Sequence, residues 1–317
     1  MSLQMMDRCD FLLGISDVAD LTGVMKETLR VWERRYGFPN PSRSSSGKRL
    51  YSEELVGRLR LIKNLLDLGY RPSRVVPLGV DELISLSNKA RAPVSPIAQA
   101  SEELLQPCLI LIKERRVAKL RSLLQGYLLR DGLRKFVINI AAPLTHLVRT
   151  GWMANKFSVL ETYVMTTVLE PLVKDAIQVA AIEAAGSDGP KVLLASAPQE
   201  RSLSELLFVQ ALFTLEGADC ELFGCITNVN DISARAAHDD VDLVAMCCSP
   251  STSPRAVIEN TRRLQGKLGA KFLVAPGYRC PASIRRRIAD DCMLDLDSVG
   301  EQVLKWRTRL IASQHPT

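Results

Sequence analysis

Histidine is scarce in this 317-residue chain: His146, His238 and His315 are the whole supply. With so few imidazoles, no Ser/His/Asp constellation can be assembled from the sequence. The eight cysteines, at positions 9, 108, 220, 225, 247, 248, 280 and 292, show neither CxxC spacing nor a metal-type Cys/His cluster. That pattern predicts reduced, mostly buried thiols. Cys247 and Cys248 fall on an expected strand, where successive side chains point to opposite faces, so no shared metal is expected there. No apolar run approaches the roughly 18 residues of a membrane helix. Met1 to Gly14 is interrupted by Asp7, Arg8 and Asp10, unlike a signal peptide. There is no GxxxxGK[ST] phosphate loop, and no GxGxxG follows the expected strand at Val192. These absences point away from enzymes, metal sites and membranes, towards a non-catalytic cytoplasmic protein.

What is present begins with charge. Val24 to Val75 holds 12 Lys/Arg against 5 Asp/Glu, a local +7 in a chain whose total is +6. Excess confined to one segment is the electrostatic footprint of a DNA binder. Within it, Met25 to Arg35 sets apolar Leu29, Val31 and Trp32 beside cationic Lys26, Arg30, Arg34 and Arg35. One face of that helix is expected to pack and the other to meet an anion. After Pro39 and Pro41, Arg43, Lys48 and Arg49 flank Ser44-Ser45-Ser46-Gly47, small residues suited to a hairpin tip near phosphates. Just upstream, Ser16 is expected to cap a short helix, Asp17 to Leu21, stopping at Thr22-Gly23.

Ile15-Ser16-Asp17-Val18-Ala19, Thr28-Leu29-Arg30-x-Trp32-Glu33-Arg34-Arg35-Tyr36-Gly37 and Gly47-Lys48-Arg49-Leu50-Tyr51-Ser52 together resemble the MerR-type winged helix-turn-helix. The resemblance implies a double-stranded DNA partner. Lys26, Thr28, Arg30, Arg34 and Arg35 are then the candidates on the helix, with Arg30 foremost for a base edge. Arg43, Lys48, Arg49 and Tyr51 are the candidates for holding phosphates.

Punctuation divides the chain into 1–88, 97–185 and 190–317, with linkers near Ala90–Pro96 and Gly186–Pro190. Ser52 to Leu68 reads as an amphipathic helix ended by Gly69-Tyr70-Arg71-Pro72. Pro77 and Gly79 interrupt the next helix, so no long dimerisation helix is visible. Ile97 to Ala185 reads as a four-helix bundle. From Lys191, strand and helix alternate as in a doubly wound parallel sheet, including a last strand at Met293 to Leu296. Such a sheet places Ala197 to Glu200, Gly224 to Asn228, Ser249 to Ser253 and Pro276-Gly277 at its ligand-binding mouth. The expected fold class is thus multi-domain α and α/β.

Pro143-x8-Trp152 with Phe157-Ser158-Val159-x-Glu161 resembles the helical cap of cobalamin-binding photoreceptor and methyltransferase proteins, and Lys191 onward resembles the cobalamin-binding Rossmann-like domain. The resemblance implies cofactor positions at Trp152, Glu161, Glu200, Ser202, Ser249 and Gly277. This chain departs from the pattern in several places. Thr162-Tyr163 stands where Glu-His is expected, Arg149 and Glu205 where glycine is, and Ser202 where the cobalt-ligating His belongs. Ser251 replaces a Leu, and Ala275-Pro276-Gly277 replaces a Gly-Gly. A serine hydroxyl is a poor substitute for imidazole. His146 is expected to be exposed, His238 to follow a surface helix and His315 to lie in the tail.

The expectation is therefore a DNA-binding regulator, resembling light- and cobalamin-responsive repressors, whose second half is a ligand-poor oligomerisation module with no metal and no usual cofactor. A corrinoid or haem bound without the usual His stays open. So does an adaptor that holds a signalling protein partner. The chain is expected to be at least a homodimer, because two half-sites need two readers.

Overall fold

A computed structural model describes residues 12–314 apart from 68, 91–95, 154–155, 187, 199, 201, 225–227, 238–239, 250–251 and 279. His238 and His315, the tip of the first expected linker and part of the sheet mouth lie outside the described residues. The chain forms two compact units. One comprises Met1–Arg91 with Gly151–Lys156, the other Ala92–Thr150 with Phe157–Thr317.

In the first unit, β1 (Leu13–Gly14) leads into α1 (Ile15–Thr22), a tight turn and α2 (Lys26–Tyr36). Ser16 is not the cap: Gly14 precedes the helix, and its N–H donates to the Asp17 carboxylate at 3.2 Å. A carboxylate in the first turn meets orphan amide groups and the positive end of the helix, so it displaces the serine. The Thr22 hydroxyl donates to Val18 O at 2.7 Å and accepts from the Val24 N–H at 3.3 Å, bracing the turn. The strands β2 (Ser42–Arg43) and β3 (Arg49–Tyr51) form an antiparallel hairpin, and β1 pairs with β3 on its other side. Helices α3 (Glu53–Asp67), α4 (Pro72–Val75) and α5 (Val80–Ala90) complete the unit. Leu29, Trp32, Leu59, Ile62, Leu65 and Leu83 share its core.

The second unit opens with four helices, α6 (Pro96–Lys113), α7 (Val117–Phe136), α8 (Ala142–Met153, its last residues from Gly151 belonging to the first unit) and α9 (Val159–Glu183). The expected bundle is present, but α7 is broken at Gly132, where φ is 74° and ψ 164°. It continues to α8 through a π-helical turn at Val137–Ala141. Only glycine enters that backbone region without strain. The sheet after the bundle has four parallel strands, β4 (Lys191–Ser196), β5 (Asp219–Gly224), β6 (Leu243–Cys247) and β7 (Phe272–Ala275), in the order β5-β4-β6-β7. Around it run α10 (Ser204–Leu215), α11 (Val229–Ala236), α12 (Pro254–Leu268), α13 (Ala282–Arg285) and α14 (Val299–Gln314).

Alternate residues of β4 feed two cores. Val192 and Leu194 pack with α10 and the bundle, Leu193 and Ala195 with α11 and α12. Segments 97–185 and 190–317 thus share a core. The expected strand at Met293 shrinks to a single parallel bridge with Val274, because short 3-10 turns at Asp290–Cys292 and Leu296–Ser298 flank it. As expected, Cys247 and Cys248 are both buried and belong to opposite cores.

Candidate nucleic-acid interface and sheet mouth

On α2, Leu29 and Trp32 are buried while Arg30, Arg34 and Arg35 are exposed and Lys26 and Thr28 are half-buried. Val31, expected on the packed face, is 43% exposed. It sits two residues after Leu29, on the far side of a 3.6-residue turn. The helix stops at Gly37, whose φ of 68° reverses the chain.

The hairpin tip is held by its own backbone: Ser44 N–H donates to Lys48 O and Gly47 N–H to Ser44 O, both at 2.9 Å. The Ser44 hydroxyl accepts from the Lys48 N–H at 3.1 Å. Gly47 has a φ of 75°, which the turn requires. Arg43 and Lys48 are exposed beside this tip, with Arg43 Nη1 3.5 Å from Gly47 O.

The other two wing candidates lie inwards. Arg49 reaches α2, its Nε 2.8 Å from Glu33 Oε2, a bond that raises its pKa. Tyr51 is fully buried, and burial pushes its phenol pKa up. The phosphate role expected of Tyr51 is thereby corrected. Its ring lies with Leu29 and Trp32 in the core of this unit.

Several other cations of the +7 segment are occupied. The Arg58 guanidinium lies 3.9 Å from the Phe38 ring centroid and donates to Val76 O at 3.3 Å, and burial lowers its pKa. Arg60 stacks 3.4 Å from the centroid of Trp152, in the short segment 151–156 that belongs to this unit. The exposed cations of the segment include Arg30, Arg34 and Arg35 of α2, Arg43 and Lys48 at the wing tip, and Arg71 and Arg74 around α4, a distinction that charge counting alone does not make.

In the second unit, described residues of the segments after β4 and β6 meet beyond the carboxyl ends of those strands. There the Glu200 carboxylate accepts from the Ser249 hydroxyl, from the Thr252 hydroxyl at 2.9 Å and from the Ser202 N–H at 3.0 Å. The Ser202 hydroxyl accepts from the Ser204 N–H at 3.3 Å, and the Ser204 hydroxyl donates to Glu170 at 2.8 Å. Gly277 has a φ of 85°, and a Cβ there would meet Cys248 O at 3.0 Å. Beside Gly277 a cleft of about 300 Å³ is lined by Ile138, Tyr278, Asp295, Asp297 and Glu301.

Two of the departures face each other: Arg149 Nε is 4.0 Å from Glu205 Oε1, with side chains 12% and 9% exposed. Burial raises the Glu205 pKa against the opposing pull of Arg149. His146, expected to be exposed, is 8% exposed and meets Tyr278 edge-on at 5.8 Å. The helix face of Ala142, His146 and Arg149 looks polar in sequence, yet it packs inwards, against the Tyr278 ring and the Glu205 carboxylate. Glu161 completes a capping box: it accepts from the Ser158 N–H at 2.8 Å, and Lys113 lies 3.2 Å away. Sequence reasoning passed over Glu33 and Glu170. The place of Glu33 between the α2 cations Arg30 and Arg34 was the available signal for the first; nothing local marked the second.

Residues 13–77 match the family model of the MerR HTH family regulatory proteins. The chain is 38% identical over 77 residues to the HTH-type transcriptional regulator MlrA of Escherichia coli (strain K12), covering 24% of this chain and 32% of that one. It is 36% identical over 78 residues to the mercuric resistance operon regulatory protein of Bacillus cereus, covering 25% and 55%. With the HTH-type transcriptional repressor CarA of Myxococcus xanthus it shares 47% identity over 55 residues, 17% of this chain and 19% of that one. The matches thus span about a fifth to just over half of these relatives. Among solved structures, the monomethylamine corrinoid protein of Methanosarcina barkeri aligns with a TM-score of 0.49 and 13% identity, over 64% of this chain and 98% of that one. No helix among the described residues is long and apolar enough to cross a membrane. Residues 13–77, with their helix, turn, helix and wing in this order, are thus the part of the chain that is similar to the MerR HTH family regulatory proteins.

Proposed function

We propose that the chain is a sequence-specific, DNA-binding transcriptional regulator without catalytic activity. The observation that carries this reading is the exposed cationic set of α2, Arg30, Arg34 and Arg35, in the same small unit as the exposed wing-tip cations Arg43 and Lys48. An α-helix fits the major groove, and a wing beside it meets the backbone. Lys26, Thr28, Arg30 and Arg34 enter the groove, with Arg30 on a base edge. Arg35, Arg43 and Lys48 hold phosphates. Selecting duplexes from a random pool with the full-length protein, then titrating the winner across salt, tests this. A steep salt dependence with a recovered consensus supports it; failure to enrich any sequence refutes it.

The second unit serves in this reading for oligomerisation and partner contact. The residues at its mouth fit an imidazole-ligated corrinoid poorly. Ser202 offers a hydroxyl already engaged with Ser204, and the two positions where the pattern needs glycine carry a buried Arg149–Glu205 pair. The cleft beside Gly277 stands at the lower end of the size range of ligand pockets and is lined with carboxylates. An adaptor reading draws support from exposed Val159, Leu160 and Tyr163 in the first turns of α9, since neighbouring apolar side chains left in water mark contact with another protein.

A further inference from the structure

Glu33 lies on α2 one turn beyond Arg30, and its carboxylate takes the Arg49 guanidinium from the wing. Arg49 Nε is 2.8 Å from Oε2, and Nη2 is 3.5 Å from Oε1. The two side chains are 29% and 24% exposed and share their surroundings with fully buried Tyr51. The fork fixes direction as well as distance. The hairpin it grips is short: β2 has two residues and β3 three. With β1 adding only a two-residue pairing on the other side of β3, strands of that length do not by themselves fix the tilt of the tip. Arg43 and Lys48, by contrast, stand exposed at the tip.

Resting on the DNA-reading function above, we propose that Glu33 and Arg49 form a positioning strut between α2 and the wing, and that Arg49 holds Glu33 rather than a phosphate. The strut sets how far the wing-tip cations stand from the helix in the groove. It therefore sets which backbone geometry the protein accepts. Because Glu33 balances the Arg49 charge, the pair as a whole displaces no counterion from DNA, whereas Lys48 does.

The test uses the full-length protein, a duplex selected with the wild type, and binding titrations across salt. Replacing the pair by neutral side chains, Glu33→Gln with Arg49→Met, is expected to weaken binding by up to about fivefold while leaving the salt slope unchanged. The charge swap, Glu33→Arg with Arg49→Glu, is expected to recover most of that loss. Lys48→Ala, the control, lowers the slope by about one. If Arg49 grips a phosphate instead, the swap places a carboxylate against the backbone and is the weakest binder of the set, which overturns the proposal. Thermal unfolding of the single and double variants supplies a readout free of DNA. Absence of energetic coupling between positions 33 and 49 overturns the strut even if binding behaves as stated. A wild type that binds no duplex in a salt-dependent way refutes the DNA-reading function, and the unfolding cycle then still decides whether the strut exists.

Discussion

Arg149 on α8 and Glu205 at the start of α10 form a buried ion pair at 4.0 Å between the bundle and the sheet layer, each standing where the cobalamin-binding pattern has glycine. Two departures that look independent in sequence are therefore one structural event. A charge introduced on one element is balanced by a charge on the other.

Removing one partner should cost more than removing both. Arg149→Ala leaves Glu205 buried without its counter-ion, and breaking such pairs costs about 3–5 kcal/mol. The Arg149→Met, Glu205→Leu double variant should recover most of that. Chemical denaturation of the three proteins checks the order, and an Arg149→Ala variant as stable as wild type would remove the pair from the fold's energetics.

The same pair predicts a pH dependence. Burial raises the Glu205 pKa, so the folded state holds its proton more tightly than the unfolded chain does. Its contribution to stability is present below the unfolded carboxyl value of about 4.3 and is lost as pH rises through the higher folded value. Removing Arg149 takes away the pull that opposes this shift and enlarges the loss. Stability-against-pH curves should therefore fall more over this window for Arg149→Ala than for wild type, and Glu205→Gln should abolish that component.

On the DNA side, Arg30→Ala should cost about 1–3 kcal/mol on the preferred duplex and relax specificity at one base position. Arg43→Ala should weaken all sequences alike and reduce the salt slope by about one. Competition binding against single-base variants of the selected site separates the two. Uniform weakening by Arg30→Ala would move it from the groove to the backbone.

Incubation with cobalamin or haem should leave the visible spectrum and melting temperature of the purified protein unchanged. A spectrum showing protein nitrogen on the metal, lost in His146→Ala, would overturn the poor fit of the mouth and bring His146 out from beside Tyr278 as a ligand.

Residues 97–317 should supply the oligomer. Their core is shared between bundle and sheet, and α14 adds exposed Leu304 and Ile311 to the apolar residues of α9. Light scattering on this fragment is expected to give a dimer or larger. A monomer would favour a surface kept for a different protein.

Much of the first unit was legible because its signals are local. The α2 periodicity, the Ser/Gly tip and the Pro72 break each act within a few residues. Arg49 and Tyr51 were harder. A cation beside a hairpin tip reads as a phosphate contact until the carboxylate sixteen residues upstream is brought to it, and a tyrosine on a short strand gives no sign of which face is inward. His146 failed for a related reason, since a polar helix face is taken for solvent unless its neighbours, here Glu205 at the start of α10 and Tyr278 after β7, both more than fifty residues away, are known. The strand at Met293 was lost to competition: short helical turns on both sides leave one residue to pair.

Cys247 and Cys248 carry a last consequence. The carbonyl of Cys247 accepts from the Ala197 N–H, and the Cys248 N–H donates to Ala275 O, both at 2.8 Å. Joining the two sulfurs would require both side chains to swing to one side of the sheet, tearing those bonds and emptying a place in each core. Burial also raises both thiol pKa values, keeping nucleophilic thiolate scarce. Adjacent in the chain, the two sulfurs are insulated from each other and from peroxide alike, so an oxidising signal finds no trigger at this doublet while the sheet stays folded.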